Sequence, residues 1–380
     1  MGFFLALRRY KMKKGLFVCY DPHALMQFLQ FYCMGNFPAE WDVLCLPVEN
    51  GEEYMHTYCE KTGMFRNIFV GNVEYIKLPA VKKFCLFLSM FFSAILGMRK
   101  KYCTKILNEY VRDINDYDIL CANIDTGFIS GMLASFAKEK DVIYFEDGAA
   151  DYTIKRSKWK NSVFPLFSFT NLQCVLMAWL GYFAKGYVYF KPTKYCYKYV
   201  TNKDALEYRN FKEVREFLLD NKSLRTYQNF IKILYPELDN FIIPKDSVIF
   251  FTDPLSDLLD DYEKYVNKLI DAISERFKTV VIKKHPRDTT DYQFPPDVEV
   301  TILNGQIPGE VFFPFMKDNV CCFNEVSSVI IGLKPFVSKI IIYHIKDFDT
   351  IKLKQHTSTK VEKKEYLEKF VTNKYEIFDI

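Results

Sequence analysis

The chain has 380 residues, enough for two domains at about 150 residues each. Its composition, 49% hydrophobic and 26% charged with 15 Gly and 15 Pro, excludes a disordered chain, a collagen-like chain and a disulfide miniprotein. The net charge of +4 is local: residues 351–374 hold seven lysines against three glutamates, so the rest of the chain sums to zero. A near-neutral body with a basic tail is not the composition of a nucleic-acid-binding domain, which is basic throughout.

Short apolar runs alternate with helical patterns along the chain. GLFVCY (15–20) reads as a buried strand, and Asp21-Pro22 opens a helix towards Tyr32. WDVLCLP (41–47) and DILCANI (118–124) are further strands; the latter leads through Gly127 into a small-residue helix ending near Lys138. DVIYFEDG (141–148) follows, then a long aromatic-rich region, 157–245, read as mostly helical. The rhythm restarts at DSVIFFTDP (246–254), with a helix from Asp257 to about Arg276. KTVVIKKHP (278–286), VEVTIL (298–303), NVCCFN (319–324) and KIIIYHI (339–345) complete the series. Short apolar strands alternating with helices predict parallel sheets covered on both faces. Two such blocks predict an α/β fold of two Rossmann-like domains facing a central cleft, with a helical aromatic-rich insertion between them. The expected boundaries are 1–160, 161–245 (helical and membrane-associating), 246–345 (nucleotide domain) and 346–380 (basic tail or helix).

The eleven cysteines form no C-x-x-C pair and several lie in strand-like runs, which fits buried thiols in a reducing compartment. In MGFFLALRRYKMKK the positive charges follow a short apolar stretch, the reverse of a signal peptide. Two uncharged stretches, Phe84–Met98 and Val163–Ala184, are flanked by basic residues. The second is long enough to span a bilayer, but it contains Pro165, Asn171 and Gln173 and separates two halves that must share a compartment. Interfacial or buried helices are expected there, and the basic flanks and tail would attract anionic lipid.

Chemistry-bearing residues fall where these strands end, and ligands of such folds bind at the carboxyl ends of strands. Glu146-Asp147-Gly148 ends one strand, with glycine permitting a tight turn. Lys283-Lys284-His285-Pro286 ends another; among five histidines, His285 alone follows a strand and precedes a proline. It can donate a proton or a hydrogen bond near neutral pH. Ile307-Pro308-Gly309-Glu310 carries a glutamate able to accept from ribose hydroxyls. Ser327-Ser328 precedes an apolar helix pattern, where paired hydroxyls and free N–H groups make a phosphate site. Asp116-Tyr117-Asp118 has D-x-D spacing but opens a strand and reads as solvated.

Taken singly, these segments are ordinary turns and caps. Their order, acid-acid-Gly, Lys-x-His-Pro, Pro-x-Glu and Ser-Ser, resembles that of the bacterial sialyltransferases, namely the lipooligosaccharide and capsule enzymes and related polysialyltransferases. The resemblance covers about residues 140–335, and Thr252-Asp253-Pro254-Leu255-Ser256-Asp257 looks like the family segment that opens the nucleotide domain. It implies a GT-B fold and inverting transfer of sialic acid from CMP-sialic acid to a hydroxyl of an acceptor glycan. His285 would protonate or hydrogen-bond the departing phosphate, Ser327 and Ser328 would hold it, and Glu310 would bind ribose. Lys283 and Pro286 would lie near the cytosine. The base is Asp257, Asp253 or Asp147, with Asp257 favoured slightly over Asp147; Glu146 and Gly148 frame the last of these. No metal is expected, because these donors can stabilise the phosphate themselves. The expected partners are a lipid-linked acceptor glycan and the inner face of the bacterial cytoplasmic membrane, with no nucleic acid; a homodimer is compatible with this reading. Two alternatives remain open: a CDP-glycerol or CDP-ribitol phosphotransferase of cell-surface polymer synthesis, and a non-catalytic membrane-surface protein.

Overall fold

The computed structural model describes residues 12–46, 52–71, 89, 96, 98–123, 128–146, 195–203, 206, 211–244, 246–253, 255, 262–285, 287–305, 307–316, 319–324, 336–344 and 375–379. These form two compact units, each built on one sheet.

The first sheet has seven strands: β1 (Lys13–Cys19), β2 (Ala39–Cys45), β3 (Phe65–Val70), β4 (Ile119–Ala122), β5 (Asp141–Phe145), β6 (Tyr197–Val200) and β7 (Glu213–Glu216), in spatial order β3-β2-β1-β4-β5-β6-β7. Its ladder is parallel from β3 through β6. The second sheet has six strands: β8 (Val248–Phe251), β9 (Thr279–Lys283), β10 (Glu299–Leu303), β11 (Val320–Asn324), β12 (Lys339–His344) and β13 (Tyr375–Asp379), in order β10-β9-β8-β11-β12-β13 and parallel throughout. All nine expected strands are present.

Three expectations need correction. The region 161–245, read as mostly helical, supplies β6 and β7 among its described residues, followed by helix α5 (Asn221–Leu234). The basic tail, read as a tail or helix, ends in β13. Strand β3 was not anticipated at all. These strands share a cause: they lie at or next to sheet edges, where the ladder does not demand a continuous apolar run. FRNIFV, EVRE and YEIFD therefore carry charges that a central strand would exclude.

The helices are α1 (Pro22–Met34), α2 (Glu52–Thr62), α3 (Arg99–Leu107), α4 (Phe128–Leu133), α5, and α6 (Tyr262–Ser274). Asp21 caps α1 by accepting from the Ala24 N–H at 2.7 Å, Pro22 sits in the first turn, and Gly35 ends the helix at φ 67°, a left-handed geometry that favours glycine. The apolar face of α1 covers β1 and β2. Phe28 stacks on Phe17 at 4.2 Å between centroids and meets Trp41 edge-on at 4.9 Å. On the opposite face, Leu16, Val18, Leu120, Ala122 and Val142 pack with Leu107, Met132 and Phe136. In the second unit, Val266, Leu269, Ile270 and Ile273 of α6 cover Val248, Phe250, Val280 and Ile282. Cys321 and Cys322 are both fully buried in β11, and all nine described cysteines are free thiols.

Among the described residues no helix is long and apolar enough to cross a membrane. The stretch Val163–Ala184, most of Phe84–Met98 and the tail 351–374 lie outside the described residues.

Gly15 pairs with Trp41 across β1 and β2, and a Cβ on Gly15 would land on the indole ring. Trp41 is fully packed beneath α1, so the ring has nowhere to move. Gly15→Ala is expected to cost about 1–3 kcal/mol of stability, read as a lower urea midpoint with an unchanged m-value; a loss under ~0.5 kcal/mol would contradict this packing.

Candidate active site

A parallel sheet has a switch point where the strand order reverses, and the crevice outside the carboxyl ends there is the natural ligand site. In the second sheet that point lies between β8 and β11. Thr252 and Asp253 follow β8, and Lys283 ends β9 and leads to His285. The 3-10 helix Gly309–Phe315, with Glu310 in its first turn, stands between β10 and β11. The sequence-predicted residues Asp253, Lys283, His285 and Glu310 thus gather at this end of one sheet. Asp257, Pro286, Ser327 and Ser328 lie outside the described residues. So do Asp147 and Gly148. Glu146 closes β5 of the first unit, where it is buried, and its main-chain carbonyl accepts from Gln27 Nε2 at 2.9 Å.

The His285 turn is held from two sides. Its backbone N–H donates to Thr252 Oγ1 at 3.1 Å, and the Thr252 hydroxyl donates in turn to Asp288 Oδ2. The Asp288 N–H donates to the His285 carbonyl at 2.9 Å. Asp288, only 6% exposed, also accepts from the Thr290 N–H at 3.0 Å and the Tyr292 hydroxyl at 2.9 Å. Burial, and then the Asp288 charge, push the Tyr292 phenol well above the usual range, so it stays a donor. The Arg287 N–H points at His285 Nδ1 at 3.1 Å. A backbone N–H can only donate, so Nδ1 is the acceptor and the neutral ring carries its proton on Nε2.

Lys283 is 3% exposed, an unusual place for an ammonium. Its Nζ donates to the carbonyls of Lys284 at 2.7 Å and Gly305 at 3.3 Å. Burial pushes its pKa down from 10.5 to about 8, while the Glu310 carboxylate pulls the other way. Lys283 and Glu310 are therefore electrostatic neighbours.

Thr252 enters the sequence reading only as the first residue of the segment 252–257, with no role of its own, and Asp288 does not enter it. Both act through the backbone of His285, and the one sequence signal is the Asp-x-Thr turn in HPRDTT, which follows the histidine directly.

A second charged group lies in the first unit. Asp116 and Asp118 lie at the amino-terminal end of the first sheet, where Asp118 Oδ2 accepts from the Lys14 N–H at 2.9 Å. A cavity of about 350 Å³ opens at the same end, lined in part by Asp42, Arg66, Arg112 and Tyr117. Among the described residues no group of acidic, histidine or cysteine side chains could hold a metal ion.

The family model of glycosyltransferase family 52 matches residues 75–349, more than two thirds of the chain and including Glu146, Asp253, Lys283, His285 and Glu310. The chain belongs to glycosyltransferase family 52. This is the bacterial sialyltransferase family, so the resemblance carried by the short motifs holds. No curated protein sequence matches. Among solved structures, the glycosyltransferase of kitacinnamycin is similar at a TM-score of 0.52 and 11% identity, over 97% of this chain and 87% of that one. The UDP-GlcNAc 2-epimerase of Methanocaldococcus jannaschii is similar at 0.50 and 10% identity, over 96% and 89%. At such identities the likeness shows the fold alone: this family 52 member has the GT-B fold of two Rossmann-like domains.

Lys283 gives a pH signature. Between about 8 and 10.5 the folded chain has shed this proton while the unfolded chain keeps it, so this residue makes stability rise with pH across that window. Lys283→Met removes the contribution. Its stability relative to wild type should therefore fall as pH rises from 7.5 to 10 in paired thermal melts; a flat or growing difference would contradict the burial of the charge.

Proposed function

We propose that this family 52 glycosyltransferase moves sialic acid from CMP-sialic acid, with inversion, to a hydroxyl of an acceptor glycan. The observation that carries the reading is the gathering of Lys283, His285, Asp253 and Glu310 at the switch-point end of the second sheet, within the family match.

Breaking a glycosyl phosphate passes through an oxocarbenium-like state. The tertiary anomeric carbon of a sialyl donor develops charge early, and the phosphate leaves readily once its own charge is met. His285 supplies one donor. It protonates or hydrogen-bonds the departing phosphate, and with Nδ1 accepting from the Arg287 N–H the atom left to do so is Nε2. Ser327 and Ser328 add hydroxyls on the same phosphate, Glu310 takes the ribose hydroxyls, and Lys283 and Pro286 flank the base. An aspartate, Asp257 in first place with Asp253 and Asp147 behind it, accepts the proton of the attacking hydroxyl, a contribution of roughly 10²–10⁴-fold. These donors meet the leaving charge without a metal. The acceptor is a lipid-linked glycan at the inner face of the bacterial cytoplasmic membrane, to which the aromatic stretch 163–184 and the tail 351–374 bring the enzyme.

The purified chain is to be incubated in parallel with CMP-sialic acid and with CDP-glycerol, reading released CMP, with and without EDTA. Release from CMP-sialic acid is expected, unchanged by EDTA, and reduced about 10²–10³-fold in His285→Ala. Release only from CDP-glycerol would replace this reading with the phosphotransferase, and activity lost in EDTA and restored by Mn²⁺ would overturn the metal-free site.

The membrane assignment has its own test. Deleting residues 351–380 removes β13 as well as the basic run, so charge reversal of Lys352, Lys354, Lys363 and Lys364 to Glu is the cleaner variant. It should weaken sedimentation with anionic vesicles and leave the melting temperature within ~2 °C; unchanged sedimentation would sink the electrostatic attachment.

A further inference from the structure

The proposed reaction needs the His285 ring aimed at one phosphate oxygen, and His285 sits two residues beyond the end of β9, where the sheet ladder no longer holds it. Its N–H is taken instead by the Thr252 hydroxyl at 3.1 Å, just beyond the neighbouring strand β8. That hydroxyl has a single proton, and it goes to Asp288 Oδ2. Asp288 closes the ring by donating its own N–H to the His285 carbonyl at 2.9 Å. Both main-chain polar groups of the histidine are therefore tied to one Thr–Asp pair. The pair is itself anchored: Thr252 N–H donates to the Lys283 carbonyl at 3.1 Å, and Asp288 takes the Thr290 N–H and the Tyr292 hydroxyl.

The arrangement exceeds what the fold requires. An ordinary Asx turn from Asp288 to Thr290 would satisfy the carboxylate's near oxygen, and the far oxygen would be left to solvent. Here the far oxygen is buried and reaches across 36 residues of sequence to Thr252. An ionised carboxylate accepting from Thr252 orients that hydroxyl's proton away from His285, so a lone pair is always presented to the histidine N–H. The backbone of His285 is thereby preset, and the Arg287 N–H on Nδ1 sets the tautomer.

We propose that Thr252 and Asp288 are positioning residues for the transfer reaction, acting through the backbone of His285 and touching neither donor nor acceptor. The inference rests on the reading of His285 as the hydrogen-bond donor to the leaving phosphate. Misplacing a catalytic group by ~1 Å can cost on the order of 10²-fold in rate, and the loss should fall on turnover, because the nucleotide is held by other residues.

The test compares Thr252→Val, which keeps the shape and removes the hydroxyl, with Thr252→Ser, which keeps the hydroxyl. CMP release from CMP-sialic acid is measured as kcat and KM beside thermal melts, with His285→Ala in the same series. Thr252→Val is expected to lower kcat about 10–100-fold with donor KM within ~3-fold, and Thr252→Ser to return kcat to within ~3-fold of wild type. Wild-type turnover in Thr252→Val would overturn the inference. So would equal losses in Val and Ser variants that track their melting temperatures, since the effect would then be packing alone. If Thr252→Val does not fold, Asp288→Asn carries the same comparison. If His285→Ala keeps wild-type turnover, the reading of His285 falls first, and that failure is distinct from a Thr252 variant behaving as wild type beside an inactive His285→Ala.

Discussion

Where β9 ends, the backbone of the next residues must leave the sheet and still satisfy its polar groups. A buried N–H without a partner costs about 1–3 kcal/mol, and a parallel ladder offers nothing beyond its last pair. Thr252 solves this for His285 with a side-chain hydroxyl standing in for the missing ladder carbonyl. The solution depends on topology. β8 and β9 are neighbours, Phe251 pairs with Lys283, and so the residues following each strand face one another. His285 is placed by this register, and the strand order puts the same end of the sheet at its switch point. Strand pairing, the hydroxyl bridge and the histidine's aim form one chain of dependence.

The central strands could be read from the sequence because a strand with neighbours on both sides and helices on both faces is mostly apolar. GLFVCY, VIFF and VVI are such runs and are central. β3, β7 and β13 escape the same reading, because each has one unpaired edge and tolerates Arg, Glu or Asp in its run. β6, next to the edge and only four residues long, hides inside an aromatic-rich segment whose composition suits helix equally well.

The site was legible to a different depth. His285, Lys283 and Asp253 announce themselves because they follow apolar runs directly. Glu310 shows only as part of an ordered set, for a 3-10 turn has no periodicity to read. Thr252 and Asp288 were out of reach: their work is done on another residue's backbone, 33 residues and three residues away from it in sequence, and a threonine after a strand is unremarkable in isolation.

Two buried charges in this molecule show why perturbed groups can be sorted into structural and functional kinds. Asp42, 2% exposed, would be raised by burial. Two hydrogen bonds from Arg66 at 3.0 and 3.1 Å, one from Tyr117 at 2.8 Å and those from Asn67 outweigh that and hold it below the ordinary carboxylate range. Its charge is fully answered within the protein, at the amino-terminal end of a sheet where parallel folds place stability and not chemistry. Lys283 is as deeply buried, yet its pKa moves in the direction of an unanswered charge, because two carbonyls and a neighbouring carboxylate only partly replace water. Perturbed ionisable groups gather at functional sites, and structural ion-pair networks perturb them as well. That asymmetry lies at the carboxyl end of β9, beside the His285 turn, where the proposed reading puts the nucleotide.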